Sequence, residues 1–399
     1  MSDGPHIPEG FFFSAVAAGI KASGKPDLAF AECAPGTSAA ALFTTNQVVA
    51  APLVIGKRHL KASGGKVGAL IVNSGNANCA TGAQGLRDCE AVCSSLSAEL
   101  KIPIQQIFTS STGIIGVPLP AEKITFAIPR LVAAKKANRQ AAHKFAEAIM
   151  TTDTKPKTAM YGFQIGEKPV IVFGAAKGAG MIHPNMATML GYIFTDVEAS
   201  PHALKRLLKG AADQSFNCIS IDGDMSTNDT LLLLASGASG ISLRSRGVEQ
   251  AFKACLLLVC KALAEQIVSD GEGVAHVVRL HIEGAKNRDQ GRRIGEAIAR
   301  SALVKTAWAG SDPNWGRILA AIGSSAVRID PAEVNIFLGP HEVCRNGAAC
   351  KFNERLAHEY LSQSAYDIRV VVGKGKSKLQ FLTCDLTSEY VRINADYST

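Results

Sequence analysis

One threonine in this chain is placed where an unusual backbone could expose a reactive hydroxyl. Thr188 ends the segment 177–188, whose sequence KGAGMIHPNMAT carries two glycines and follows an apolar run. Gly178 and Gly180 allow a tight and strained loop. A threonine hydroxyl is a weak nucleophile and needs a base beside it to attack a carbonyl. Taken alone, the pattern fits a glycine-rich turn in which Thr188 merely caps the next element.

The elements around this segment are predicted to mix helices and strands. Apolar runs bounded by turn residues predict strands at 168–175, 230–235, 274–283, 334–338, 368–373 and 378–384. Apolar residues three and four apart predict helices at about 131–150, 202–213, 247–268, 291–304 and 353–362. The first 120 residues alternate short apolar runs with Gly, Asn and Ser, which predicts strands and tight loops. Without an internal repeat or a linker, this mixture favours α+β layers over a doubly wound fold.

The composition indicates a globular enzyme and excludes several other classes. Of 399 residues, 47% are hydrophobic and 19% are charged, which supports a sizeable core and argues against disorder. The net charge of +8 is spread along the chain without a basic tract interleaved with aromatics, so no nucleic-acid partner is expected. No apolar run approaches 18 residues, and the first residues lack a signal-peptide pattern, so no membrane span is expected.

The cysteine and glycine motifs do not indicate a cofactor. None of the ten cysteines forms a CxxC pair, so buried, reduced thiols in a cytoplasmic protein are expected instead of a zinc site. Residues 373–377 lack the first glycine of a phosphate loop, and residues 222–233 lack the turn glycine and final glutamate of a calcium loop. The glycines at 178 and 180 lack the third glycine of a dinucleotide fingerprint. We therefore expect neither a metal nor a bound cofactor.

Several motifs together resemble one enzyme family, the ArgJ-type glutamate N-acetyltransferases, also called ornithine acetyltransferases. The segment around Thr188 is similar to the self-cleavage segment of that family. Further motifs match in family order: NSGNAN at 73–78, SSTGIIG at 110–116, TTDTKPK at 151–157, IDGDMSTNDT at 221–230, DGEG at 270–273, DPNWGR at 312–317 and EYVRINADYST at 389–399. The resemblance therefore extends from about residue 70 to the last residue.

The resemblance implies that the chain cuts itself between Ala187 and Thr188. The Thr188 hydroxyl would attack the preceding carbonyl, and water would resolve the resulting ester. The products would be an alpha chain of residues 1–187 and a beta chain of residues 188–399 that begins with the nucleophile. The new α-amine, whose ordinary pKa is about 7.7–8.0, would then suit the role of base for the Thr188 hydroxyl.

By the same resemblance, the activity is acetyl transfer from N2-acetyl-L-ornithine to L-glutamate in arginine biosynthesis. Thr188 would take the acetyl group, release ornithine and pass the acetyl group to glutamate in a ping-pong cycle. The Thr112 hydroxyl and the Gly113 N–H match the family's oxyanion hole, in which one donor is typically worth about 3–4 kcal/mol. Acetyl-CoA is a donor in bifunctional members, and no motif in this sequence decides whether it is used here.

The resemblance also implies how the substrate is held. Acetylornithine carries a carboxylate and a side-chain ammonium, so its site needs a cation and an anion several ångströms apart. Lys177 matches the family position that meets the carboxylate, and Glu272 matches the one that meets the ammonium. Other pocket positions of the family match Thr154, Asn394 and Thr399. Without the resemblance to the family, we would interpret Glu272 as a surface carboxylate and Thr399 as the end of a frayed tail.

The implied fold is the layered α+β sandwich of N-terminal-nucleophile (DmpA/ArgJ-type) proteins, with a smaller C-terminal portion. The implied assembly is a heterotetramer built from two pairs of alpha and beta chains. An amidase or aminopeptidase with the same nucleophile stays open as an alternative, although Lys177 and Glu272 together suit an amino-acid substrate better. An uncleaved, inactive amino-acid-binding protein is a further alternative, which the presence of Thr188, Thr112 and Gly113 disfavours.

Overall fold

The computed structural model describes residues 7–183 and 189–396, which fold as stacked sheets covered by helices. The strands are β1 Phe11–Val16, β2 Leu28–Cys33, β3 Ser38–Phe43, β4 Ala69–Asn76, β5 Ile107–Ile114, β6 Lys157–Ile165, β7 Lys168–Lys177, β8 Leu190–Thr195, β9 Thr230–Ala235, β10 Val277–Ala285, β11 Asn335–Leu338, β12 His341–Arg345, β13 Ala348–Ala349, β14 Ala365–Val371 and β15 Ser377–Cys384. The helices are α1 Ala51–Ala62, α2 Gly82–Leu100, α3 Ala121–Ala133, α4 Arg139–Ala148, α5 Pro201–Ala212, α6 Arg246–Ser269, α7 Arg288–Arg300, α8 Ala302–Ala309, α9 Trp315–Gly323, α10 Glu354–Leu361 and α11 Ser388–Asp396.

Two of the sheets and their helices form a four-layered sandwich. The first sheet has the strand order β1-β2-β4-β5, and the second has the order β3-β9-β8-β7-β6. Their facing surfaces bury a shared core that includes Phe13, Val72, Phe194 and Leu232. Helices α2 and α3 cover the outer face of the first sheet, and α5 and α6 cover the outer face of the second. The layer order is therefore helix, sheet, sheet, helix.

The strand that follows residue 188 in the sequence lies in the middle of the second sheet. All six residues of β8 and all six of β9 are buried, because both faces of this sheet are covered. β8 pairs with β7 in antiparallel fashion and with β9 in parallel fashion. Strands from both sides of the 187–188 bond consequently share one sheet and one hydrophobic core.

The C-terminal portion forms a third sheet around a separate core. Its strand order is β13-β12-β11-β14-β10-β15, and β10 runs parallel to β14. Ile294 and Ile298 of α7 and Ile318 of α9 pack in its core. The Ser220 N–H donates to the Leu382 carbonyl of β15 at 3.0 Å, which joins this portion to the sandwich.

Most predicted elements are observed, and the exceptions have local causes. The helix predicted at 131–150 is wrong as a single element, because Asn138 accepts the Ala141 N–H and begins a new helix there. The helix predicted at 291–304 likewise ends at Arg300, and Ser301 caps α8. The prediction of strands and tight loops over the first 120 residues missed helices α1 and α2.

Two negative findings apply to the described part of the chain. No helix within residues 7–183 and 189–396 is long and apolar enough to cross a membrane. Among those same residues, no three or more His, Cys, Asp or Glu side chains cluster so that they could hold a metal ion.

Candidate active site

Strand ends and loops from distant parts of the sequence meet at one pocket of about 220 Å³. Five of the residues predicted from the sequence lie in its lining: Thr112, Gly113, Lys177, Glu272 and Asn394. The other lining residues are Ala77, Ile115, Thr151, Thr152, Gly180, Met181, Asp222, Asp224, Ser226, Thr227, Asn228 and Tyr390. Residues that are up to 317 positions apart in the sequence, such as Ala77 and Asn394, thus surround a single volume.

Thr112 and Gly113 lie at the carboxyl end of β5, directly beside β4. Gly113 has a φ of +135°, and a Cβ at this position would lie only 2.3 Å from the carbonyl carbon of Gly75. The close approach of the two backbones therefore requires glycine. In the pocket wall, a threonine hydroxyl and a backbone N–H at these positions could stabilise an oxyanion.

Asn228 fastens the second sheet to the first beside these residues. Its Nδ2 donates to the carbonyl oxygens of Ala77 at 2.7 Å and Ser111 at 2.8 Å. Its Oδ1 accepts a hydrogen bond from the Thr227 hydroxyl at 2.7 Å. Sequence reasoning gave Asn228 no role, although the motif at 221–230 contains it. Asn228 therefore holds the end of β5 against the segment that leads into β9.

Lys177 ends β7, and its ammonium lies in a buried network of charges. The residue is 5% exposed, and its Nζ lies 3.9 Å from Asp153 Oδ2. Asp153 Oδ1 accepts from the Gly178 N–H and from Lys157 Nζ, each at 2.7 Å. Lys157 Nζ also donates to Asp270 Oδ2 at 2.6 Å. Two lysines and two aspartates thus neutralise one another inside the protein.

Burial and neighbouring charges decide the protonation of this network. Burial lowers the pKa of Lys177, and the Asp153 carboxylate is the strongest charge opposing that shift. Burial by itself would raise the pKa of Asp153, but Lys177 and Lys157 hold that pKa at about 2. Asp153 is therefore ionised at neutral pH and favours the charged form of Lys177, which is the form that attracts a carboxylate.

Glu272 reaches the pocket from the turn that follows α6. Its N–H donates to the Ala179 carbonyl at 2.9 Å, and its Oε2 accepts from Asn394 Nδ2 of α11 at 2.8 Å. A Cβ at Gly180 would lie 2.5 Å from Glu272 Oε2, so this glycine leaves room for the carboxylate. The pocket wall consequently contains both a buried ammonium, that of Lys177, and a largely buried carboxylate.

Asp222 anchors the glycine-rich loop in the pocket wall. Its carboxylate accepts the N–H groups of Met181 and Ile182, and the Tyr390 hydroxyl of α11 donates to it at 3.3 Å. Burial raises the pKa of Asp222 to about 6. The anchor holds Met181 at a φ of +58°, an uncommon conformation for a residue other than glycine.

The remaining predicted residues lie beside the pocket or outside the described ranges. Thr154 is not in the lining, in which Thr151 and Thr152 take part instead. The Thr154 N–H donates to Asp270 Oδ2 at 3.0 Å, and its hydroxyl donates to Asp270 Oδ1. Direct substrate binding by Thr154 stays a prediction. Three predicted site residues lie outside the described ranges. They are the nucleophile Thr188, Ala187 on the other side of the predicted cut, and the predicted substrate-binding residue Thr399.

The fold and the pocket together define an enzyme of the acyl-transfer class. Two positions suited to an oxyanion hole line the same pocket as a buried cation and a carboxylate, in a layered α+β sandwich. The chain belongs to the ArgJ family, whose model matches residues 12–399.

Similar proteins of known name support this assignment along the whole chain. The arginine biosynthesis bifunctional protein ArgJ of Prochlorococcus marinus is 41% identical, in a match that covers 100% of this chain and 94% of the relative. The protein of the same name from Methylococcus capsulatus is 42% identical over 98% of this chain and 95% of the relative. The predictions of the ArgJ-type family and of a layered α+β fold are confirmed.

A solved structure matches part of the chain. The crystal structure of arginine biosynthesis bifunctional protein ArgJ from Bacillus halodurans is 35% identical, with a TM-score of 0.50. The match covers 98% of that solved chain but only 52% of the present one. The matched chain thus corresponds to about half of the protein described here.

Proposed function

We propose that this chain is a self-cleaving glutamate N-acetyltransferase of arginine biosynthesis. In the first stage, the Thr188 hydroxyl attacks the Ala187 carbonyl carbon, the peptide C–N bond breaks and an ester forms. Water then hydrolyses the ester, which leaves a carboxylate on Ala187 and a free α-amine on Thr188. The products are an alpha chain of residues 1–187 and a beta chain of residues 188–399.

In the second stage, the Thr188 hydroxyl attacks the acetyl carbon of N2-acetyl-L-ornithine. The amide C–N bond breaks, and ornithine leaves with the proton that the α-amine took from the hydroxyl. The amine of L-glutamate then attacks the acetyl ester, which yields N-acetylglutamate and restores the hydroxyl. Both steps pass through a tetrahedral oxyanion, for which Thr112 and Gly113 are the proposed donors.

The observation that carries this proposal is the joint placement of Lys177 and Glu272 in one small pocket. The Lys177 ammonium suits the α-carboxylate of an amino acid, and the Glu272 carboxylate suits the side-chain ammonium of ornithine. Asn394 fixes the Glu272 carboxylate by a 2.8 Å hydrogen bond. The alternative of an amidase or aminopeptidase is not favoured, because the family match extends over residues 12–399.

One further observation supports self-cleavage into two chains, and a second indicates that they would stay together. The Bacillus halodurans match covers 52% of this chain, and residues 188–399 make up about that share of 399 residues. Strands β3, β6 and β7 precede the proposed cut, whereas β8 and β9 follow it within the same sheet. We therefore expect the alpha and beta chains to stay together after cleavage, and we propose that they assemble as a heterotetramer in the cytoplasm.

Acetyl-CoA is proposed as a second acetyl donor. The relatives with 41% and 42% identity are called bifunctional proteins, which favours more than one activity for the site. No bound cofactor is needed for either reaction as proposed. Release of free CoA thiol in the presence of glutamate, without added acetylornithine, measures this second activity.

Replacing Glu272 with Gln should raise KM for acetylornithine by about 10- to 100-fold, because a charged partner of the side-chain ammonium is worth about 1.5–3 kcal/mol. KM for glutamate should not rise, since the carboxylate does not attract an anionic side chain. Steady-state kinetics with each substrate varied in turn separates the two effects. Glu265→Gln is the matched control, because this half-exposed carboxylate of α6 pairs with Arg279 away from the pocket. An unchanged KM for acetylornithine in E272Q would contradict the proposed role of Glu272.

Replacing Asp153 with Asn should move the alkaline limb of kcat/KM for acetylornithine to lower pH by about one unit or more. The charged carboxylate raises the pKa of Lys177, so its removal lets burial lower that pKa further. Lys177 would then lose its proton, and its hold on the substrate carboxylate, at a lower pH. Profiles of kcat/KM against pH for both proteins check this result. An alkaline limb that stays in place would show that Asp153 does not set the charge of Lys177.

A further inference from the structure

Lys21 carries a half-buried ammonium that has no role in the proposed reaction. It lies between β1 and β2, and its Nζ donates to the Pro26 carbonyl at 3.1 Å. Within the part of the chain that the structure describes, no carboxylate forms an ion pair with it. The nearby carboxylate of Asp27 accepts the N–H groups of Ala18, Ile20 and Lys21 instead, at 2.6–2.9 Å. Because an ammonium has three donors, Lys21 can still bind an anionic ligand.

Packing and charge place Lys21 beside the pocket. A Cβ at Gly75 would lie 3.0 Å from Lys21 Cγ, so the stem of the lysine crosses this glycine of β4. Gly75 pairs in turn with Gly113, which lines the pocket. The charges of Asp153 and Lys177 both influence the pKa of Lys21, so its ammonium lies within electrostatic range of the buried network. Burial lowers the pKa of Lys21 to about 8, which leaves most of it charged at neutral pH.

The acceptor substrate needs a second cation that the pocket lining does not supply. L-Glutamate carries two carboxylates, and the Lys177 ammonium is the proposed partner of only the α-carboxylate. Among the described residues of the lining, Lys177 is the only cation, whereas Asp222, Asp224 and Glu272 are carboxylates. These three groups would repel the side-chain carboxylate of glutamate. A cation directly beside the lining would therefore favour the binding of glutamate.

Two other cations near the pocket are less suited than Lys21. Lys157 is already neutralised by two aspartates, at 2.6 and 2.7 Å. A Cβ at Gly223 would lie 3.3 Å from Arg300 Nε, and the residues on either side of Gly223 are the two aspartates of the lining. A carboxylate that approached Arg300 from the pocket would consequently meet two like charges.

We propose that the Lys21 ammonium binds the side-chain carboxylate of L-glutamate in the acceptor step. Lys21 is then a specificity-determining residue that favours glutamate over amino acids with neutral side chains. Acetylornithine does not use it in this way, because its side chain ends in an ammonium. This inference rests on the proposed function, since it requires glutamate to be the acceptor.

The test is Lys21→Met in the full chain, assayed with L-glutamate and with its neutral isostere L-glutamine as acceptors. Methionine keeps an apolar stem across Gly75 but removes the charge. We expect kcat/KM for glutamate to fall by roughly tenfold or more, while kcat/KM for glutamine stays within a few-fold of the wild type. In a ping-pong cycle, kcat/KM for acetylornithine does not depend on the acceptor and reports the donor step separately. Lys21→Arg keeps the charge and should restore the preference for glutamate.

Lys123→Met is the matched control for the loss of a lysine that contacts this segment. Lys123 is exposed on α3, and its Nζ donates to the Gly19 carbonyl at 2.8 Å. We expect K123M to keep the wild-type preference for glutamate. An unchanged kcat/KM for glutamate in K21M would overturn the inference. An equal loss with both acceptors, complete inactivity included, would also overturn it, because Lys21 would then support the fold instead of binding the carboxylate. A wild-type protein that transfers no acetyl group from acetylornithine to glutamate would refute the proposed function, and this inference with it.

Discussion

A Thr188→Ala chain should remain a single species of 41.9 kDa and lose acetyl transfer by at least roughly 10⁴-fold. Alanine removes the hydroxyl that attacks the Ala187 carbonyl, so neither the ester nor the free α-amine can form. The same hydroxyl is the proposed acceptor of the acetyl group, so both stages fail together. Intact mass and an assay of ornithine release measure the two losses separately.

A Thr188→Ser chain is the matched control for this substitution. Serine keeps a hydroxyl at the same position, so we expect it to be cut and to retain measurable transfer. A Thr188→Ala chain that was cut, or that transferred acetyl groups at a rate near that of the wild type, would show that another residue is the nucleophile. Circular dichroism of each variant checks that the fold is retained.

A Gly113→Ala chain should lose about 100- to 1,000-fold in kcat and cut itself more slowly, because one proposed oxyanion donor is displaced. The added Cβ would lie 2.3 Å from the Gly75 carbonyl carbon and 2.4 Å from the Asn76 nitrogen. Both contacts are with backbone atoms, so β4 and β5 have to separate at the pocket wall. Steady-state kinetics and a time course of cleavage by mass spectrometry measure the two effects.

Gly116→Ala is a control for the strain of a positive φ alone. Gly116 has a φ of +83°, but a Cβ there would meet no atom within 4 Å. We expect this variant to keep kcat within a few-fold of the wild type, with only a modest loss of stability. If G113A kept its kcat within a few-fold as well, Gly113 would not serve as an oxyanion donor.

The strands and long helices were predictable where their apolar pattern is strong. The prediction at 230–235 matches β9, whose sequence TLLLLA is buried on both faces. Helix α2 was missed although its buried residues Cys89, Val92, Cys93 and Leu96 are three and four apart, because two of these four are cysteines and the rest of the segment is rich in glycine, alanine and serine. Thr81 at its N-cap is a residue type that favours helix starts, although the Thr81 side chain makes no cap hydrogen bond.

The site residues were predictable only where a short motif contains them. Lys177 and Glu272 lie in such motifs, and the structure brings both into one pocket. The network behind Lys177 was not predictable, because Lys157 and Asp270 are 113 residues apart in the sequence. The contact between Asn228 and Ala77 spans 151 residues in the same way. Partners that meet only through the packing of two sheets leave no local pattern in the sequence.

The intact mass of the purified, denatured wild-type protein, with N-terminal sequencing of each species, tests self-cleavage most directly. We expect two species whose masses sum to that of the 41.9 kDa chain plus one water. One of them should begin with Thr188, Met189 and Leu190, which would establish the free N-terminal threonine. A single full-length species in a preparation that transfers acetyl groups would contradict the N-terminal-threonine mechanism.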